Sequence, residues 1–185
     1  MTHHDHNLPP MEASEEAKPH QLEMARVQGE AYLKALEEMA TNVASDGDMK
    51  RAGDYIVAYA VEDAEGMYHL ENGELVWKEP EEENCHIEIS VRDAADNRFI
   101  PGLTVHVRVT ASDGVDVGRH QQRFLWHPWL YHYGRNWKVP GDGRYRLDVS
   151  IEAPQFARHD PKNGKRYADD VEVTFENVEI KTGSK

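Results

Sequence analysis

From Tyr55 to Ile180, apolar residues return at every second position in one segment after another, and this period of two limits the fold more than any other feature. "YIVAYAVE", "CHIEISVRD", "GLTVHVRVT", "HQQRFLW", "GRYRLDVSIE" and "DVEVTFENVEI" each read as a strand with one apolar and one polar face. "MYHLENGELVW" reads as a hairpin, because Asn72-Gly73 suits a tight primed turn. Clusters such as "DAADN", "ASDG" and "PGDG" punctuate the strands, and "KEPEEEN" reads as an acidic solvated loop. Short strands at this spacing predict an all-β domain over residues 53–181, an immunoglobulin-like antiparallel β-sandwich without the cysteine pair of antibody domains.

Ahead of it the period changes. Residues 1–18 form a polar, histidine-rich and proline-interrupted tail that reads as disordered. Residues 19–46 predict an added N-terminal α-helix, with Met24, Val27, Ala31, Ala35, Met39 and Val43 as its apolar stripe and "SDGD" as its stop. That stripe packs on the rest of the chain or on a second copy.

Charge narrows the partners. The chain carries 34 acidic against 21 basic residues, a net charge of −13, and no basic cluster longer than a pair. Phosphate would be repelled, so nucleic acid is excluded as a partner. The single cysteine, Cys85, excludes an internal disulfide framework. It lies on the apolar face of its strand, which disfavours a reading as catalytic nucleophile. No apolar run reaches the roughly 18 residues needed to span a bilayer. "MTHHDHNLPPMEASEEAKPH" has no secretory-leader pattern, so as given the chain would stay in the compartment where it is made.

The eleven histidines are the chemical signal. In "CHIEI", His86 and Glu88 share one face of a strand, which makes half of a divalent-metal site or a plain solvated polar face. His69 and His106 read as surface or structural, and His120 follows "DGVDVG" and reaches a site only if that loop folds back. His127 and His132 lie in "WHPWLYHYGRNW", read as an irregular connection bracketed by Pro128 and Gly134. Trp126, Trp129 and Trp137 read as packing that would desolvate the imidazoles and favour their neutral, ligating form. His159 lies in a turn-rich loop after a strong strand. In the tail, "MTHH" puts a histidine at position three with or without the initiator methionine. An amine, two amides and an imidazole then form a square-planar set for Cu(II) or Ni(II), so His3, His4 and His6 make a candidate secondary site, against a tail that merely happens to be His-rich.

Three blocks together, the His-x-Glu of "CHIEI", the "HYGRN" at 132–136 and "GDGRYRLDVSIEAPQFARHD" running into "VEVTFE", resemble the periplasmic iron-transport-associated family, also called the pathogen-specific membrane antigen family. The resemblance covers about residues 55–180 and leaves the tail and helix outside. It implies a copper-binding histidine cluster with a second metal such as iron or manganese nearby, a homodimer, an iron permease or other membrane partner, and a periplasmic or extracytoplasmic place. It carries the ligand roles onto His86, His132 and His159, with Glu88 beside them. The family places a methionine several residues before the His-Tyr-Gly block, where this chain has Leu125. His127 is the nearest replacement, and a more nitrogen-rich site suits Cu(II), zinc or Fe(II). The expected function is a metal-binding accessory protein of an iron uptake system rather than an enzyme. An acidic protein-interaction module without metal chemistry is the alternative, and it predicts an exposed tryptophan patch and scattered histidines.

Overall fold

The structure, a computed structural model, describes residues 11–185. One helix, α1 (Pro19–Glu38), continues into a π-helical turn (Met39–Val43) and is followed by ten strands. These are β1 (Asp46–Ala52), β2 (Tyr55–Glu62), β3 (Met67–Glu71), β4 (Glu74–Lys78), β5 (Cys85–Asp93), β6 (Val105–Ala111), β7 (Asp116–Leu125), β8 (His132–Trp137), β9 (Gly143–Ile151) and β10 (Val171–Ile180). β3 and β4 form the expected hairpin, and Asn72 and Gly73 both take positive φ, 50° and 84°, as a primed turn requires.

The other eight strands make one antiparallel sheet in the order β1-β2-β5-β8-β7-β6-β9-β10. Two separate sheets were expected, and the long strand β7 is the reason they are joined. Its first part, up to Gln122, pairs with β6, and its last three residues, Arg123 to Leu125, pair with β8. The sheet curls until its edges meet. Lys50 Nζ on β1 donates to the Thr174 carbonyl of β10 at 2.6 Å, and the Glu179 amide donates to Asp46 Oδ2 at 2.7 Å. The result is barrel-shaped, with β1 and β10 joined by side chains rather than by a ladder.

Alternation places the core inside this sheet. Val57, Val61, Ile87, Ile89, Val105, Val107, Val109, Leu147, Val149, Phe175 and Ile180 are all buried there. β5 is unusual because all nine of its residues are buried. Its inward row is Cys85, Ile87, Ile89 and Val91. Its outward row, His86, Glu88, Ser90 and Arg92, is also closed off from solvent.

Much of that cover is α1 with the turn after it. Pro19 opens the helix at the position where a missing N–H costs nothing, and Gln21 Oε1 accepts from the Lys18 amide at 2.8 Å. The expected stripe holds at Ala35 and Met39 but fails at Met24, Val27, Ala31 and Val43, which are exposed. Ala25 and Gly29 are buried instead, and Tyr32, Ala35, Leu36 and Met39 pack toward Ala60 and Leu130. Close approach decides this. A Cβ on Gly29 would stand 1.6 Å from the Asp96 carbonyl oxygen, so the helix turns its smallest residues toward the 93–98 loop.

Three boundaries also shift. Strand β1 starts inside "SDGD" and covers residues to which no element was assigned, and "HYGRNW" is strand β8 rather than a connection. Part of the expected tail is docked, since Ser14 Oγ donates to Asp160 Oδ2 at 2.7 Å and the Glu12 amide donates to Asn163 Oδ1 at 2.8 Å. His3, His4 and His6 lie outside the described residues.

Candidate metal centre

Strand pairing assembles the site. β5 pairs with β8 so that His86 lies opposite Asn136 and Glu88 opposite Gly134, and β8 pairs with β7 so that His132 lies opposite Leu125. His86, Glu88 and His132 thereby present ligand atoms that all lie within 4.8 Å of one another. All three are buried, at 0 %, 3 % and 2 % exposure, and His132 Nε2 stands 3.3 Å from Glu88 Oε1.

The hydrogen bonds fix which nitrogen faces the site. His132 Nδ1 lies 2.9 Å from the Leu130 carbonyl, which only accepts, so Nδ1 carries the proton and Nε2 keeps its lone pair. Asn136 Nδ2 donates to the Glu65 carbonyl, and Oδ1 accepts from the Glu65 amide, so Oδ1 also accepts from His86 Nδ1 at 2.9 Å. The second imidazole is therefore held in the same tautomer, with Nε2 free. Such outer partners orient metal-binding histidines generally. His86 Nε2, His132 Nε2 and Glu88 Oε1 are all buried and have no hydrogen-bond partner. Three orphaned polar atoms converging on one point would be costly without a cation. The donor set, two imidazoles and a carboxylate, fits a divalent ion and leaves coordination positions open.

Burial sets the protonation states. It pulls the His132 imidazole down to about 4 and lowers His86 as well, so both stay neutral and able to ligate. Burial, followed by the neighbouring Glu62, pushes the Glu88 carboxyl up to about 9. Burial alone would also raise Glu62, but its hydrogen bond with Glu88 and the ammonium of Lys185 outweigh that and leave it below the usual range. Without metal, Glu88 is thus the acid and Glu62 the carboxylate of a proton-sharing pair. Glu62, Glu65 and Glu88 form a second acidic group, and Lys185 Nζ lies 3.2 Å from Glu62 Oε1 and 3.9 Å from Glu65 Oε2. Glu62, Glu65 and Lys185 did not stand out in the sequence, and Asn136 entered only as the end of the "HYGRN" block. The register of Glu62 opposite His86 brings β2 in, and a parallel bridge from Ala64 to Ser184 brings in the C-terminal residues.

Two expected ligands lie outside the donor group. The His127 ring is half-buried and 5.9 Å from that of His132, the same separation as between the rings of His86 and His132, but it does not join their ligand atoms. His159 is exposed on the loop against Gly164, among Met11, Asp160 and Asn163. Leu125, where the resemblance has methionine, gives the site an apolar wall. The tryptophans divide: Trp137 is buried with its indole N–H on Gln122 Oε1 at 2.9 Å, whereas Trp126 is 71 % and Trp129 43 % exposed. The exposed pair matches the interaction-module expectation, and the converging His86 and His132 do not. Burial pushes the Cys85 thiol up to about 12, which leaves it inert as a nucleophile.

Gly134 keeps the space between the two imidazoles open. A Cβ there would lie 2.9 Å from His86 Nε2, 3.1 Å from His132 Cδ2 and 2.7 Å from Leu125 Cδ1. Gly134→Ala is expected to weaken metal binding roughly 10–100-fold by turning the imidazoles, with the β-sheet circular dichroism unchanged. Calorimetric titration checks this, and wild-type affinity in the variant would show that the lone pairs do not converge on that space.

Known proteins agree with this picture at the level of fold and family. FetP of uropathogenic Escherichia coli superposes with a TM-score of 0.60 at 18 % identity, covering 75 % of this chain and 98 % of its own. A copper-bound variant of P19 from Campylobacter jejuni gives 0.61 at 19 % identity, covering 75 % and 97 %. Copper-reconstituted P19 gives 0.59 at 20 % identity, covering 75 % and 96 %. No curated protein matches the chain by sequence. The Fe2+ transport protein family matches residues 47–180, a span that holds every residue of the donor group and begins just after the helix, and the chain belongs to that family.

Proposed function

We propose that this protein is a metal-binding accessory protein of an iron uptake system and holds a copper or iron ion through His86, His132 and Glu88. The observation that carries the reading is the convergence of three buried, unpartnered donor atoms on one point. Copper-bound variants of P19 and FetP among the structural neighbours support copper, and the family supports iron. When bound, the ion supplies Lewis acidity or a redox couple. The chain's own residues hold neutral imidazoles in place, give up the Glu88 proton and exclude water. With a carboxylate and no thioether, the donor set favours Cu(II), Fe(II) or zinc over Cu(I). In this reading the protein works outside the cytoplasmic membrane beside a permease and as a homodimer.

Calorimetric titration with Cu(II), Fe(II), Mn(II) and Zn(II) tests the proposal. Wild-type protein is expected to bind one ion tightly and to keep that binding without residues 1–10. His132→Ala is expected to lose it. Binding that survives His132→Ala but disappears with the tail would move the site to His3, His4 and His6 and overturn the reading.

A further inference from the structure

Between α1 and the sheet lies a cavity of about 300 Å³ that the family match does not reach on its helical side. Leu33, Leu36 and Met39 from the helical segment, and Ala58 and Leu130 from the other side, give it an apolar body. Its floor is the outward row of β5, in which Glu88, Ser90 and Arg92 follow at steps of about 6.6 Å, with His132 beside Glu88.

One feature of that floor has no structural explanation. Arg92 is 3 % exposed, yet among the described residues no carboxylate pairs with it. Its Nε donates to Asn97 Oδ1 at 3.1 Å and its Nη2 to Met49 Sδ at 3.2 Å, both uncharged acceptors. Ser90 Oγ, two residues along, is buried, and the group beside it is the Tyr32 hydroxyl, whose own proton goes to the Tyr131 carbonyl at 2.7 Å. A buried guanidinium facing neutral groups is an uncompensated charge, and compensation by an anion is the usual remedy. Arginine is also the side chain best shaped to take a carboxylate in two parallel hydrogen bonds.

We infer that this cavity binds a small organic carboxylate, a dicarboxylate or hydroxycarboxylate. One carboxylate lies on Arg92 and Ser90, the carbon skeleton lies among Leu33, Leu36 and Leu130, and the far polar end points toward Glu88 and His132. The row from Glu88 to Arg92 spans about 13 Å, which such a molecule and the arginine side chain bridge together. The three protein donors leave room for one more oxygen ligand, so the far end can share the ion held there. That last step rests on the metal-binding reading, whereas the Arg92 end does not. The mouth carries the exposed acids Glu37 and Asp48, so long-range attraction does not draw the anion in, and selection falls to the buried end.

The test is calorimetric titration with succinate, a weak chelator, into metal-free and metal-loaded protein, with metal titrations on the same samples. Wild type is expected to bind succinate saturably in the metal-loaded form, with affinity falling roughly tenfold or more in Arg92→Gln. The cavity-filling Ala58→Phe is expected to abolish the binding, and Arg92→Gln is expected to bind metal as wild type does. No saturable binding by wild type in either form would overturn the inference. So would equal binding by Arg92→Gln, which would make the cavity a site for neutral apolar molecules. Succinate binding by a wild-type protein that takes up no metal would uphold the Arg92 site while refuting the proposed function.

Discussion

Glu88→Gln is expected to raise the stability of the metal-free protein by about 3 kcal/mol at pH 7 while lowering metal affinity roughly 100-fold. The two effects have one cause. The Glu88 carboxyl sits at about 9 in the folded protein against 4.5 ordinarily, with burial as the leading reason. The native state therefore holds a proton that the unfolded chain releases, and stability falls as pH rises from 4.5 through about 9. At pH 7 some 2.5 pH units of that window have been crossed, which gives the figure of about 3 kcal/mol. Glutamine keeps the shape, still donates toward Glu62 and has nothing to ionise. Its advantage should vanish near pH 4.5 and grow toward pH 9. In a chain of this size the rise in Tm at pH 7 would be roughly 5–10 °C. Metal binding needs the carboxylate, so wild type should release about one proton per ion at pH 7, visible as a dependence of the calorimetric enthalpy on buffer. The neutral imidazoles of His86 and His132 contribute no proton there, and Glu62, Lys185 and Glu65 frame the same exchange. A glutamine variant that is less stable, or that binds metal as wild type does, would separate Glu88 from the site.

The largest loss of stability is expected at the other end of β5. The Asp93 carboxylate accepts from Arg166 Nε at 2.9 Å and Nη2 at 2.7 Å, from the Ala95 amide at 2.6 Å and from the Tyr167 hydroxyl. Asp93 is 1 % and Arg166 8 % exposed, so the pair has little solvent screening. It ties the 152–170 loop to the sheet, where Tyr167 stacks on Tyr55 at 5.1 Å. Asp93→Ala leaves the guanidinium buried without its partner and should cost about 3–5 kcal/mol in denaturant unfolding. Adding Arg166→Met should recover much of the loss, because the orphaned charge goes with it. A cost below about 1 kcal/mol for the single variant would mean that water replaces the carboxylate and that the loop is not held there. Metal affinity of the folded fraction should stay unchanged.

Local rules made much of this protein legible in its sequence. Alternation marked most of the strands, Asn72-Gly73 marked the hairpin, and the strand period put Cys85 in the core and His86 with Glu88 on one face. Each depends on neighbours a few residues apart, and so does the aromatic surrounding that singled out His132. What lies over a face does not follow from such rules. Alternation said that His86, Glu88, Ser90 and Arg92 share a side. Only the packing of α1 and the pairing with β2 and β8 decided that this side is sealed. The helix packs by Ala25 and Gly29 rather than by Met24 and Val27, because approach distance to the Asp96 carbonyl outweighs the count of apolar atoms. β7 makes one curled sheet of the expected two because its last three residues pair with β8, a register that no residue on β7 announces. The acidic neighbours are equally remote: Lys185 reaches Glu62 across 123 positions, and Asn136 reaches His86 across 50. The sequence by itself determined most of the strands and the donor types. The tertiary structure decided which donors meet, because pairing, register and cover are long-range choices that burial enforces together.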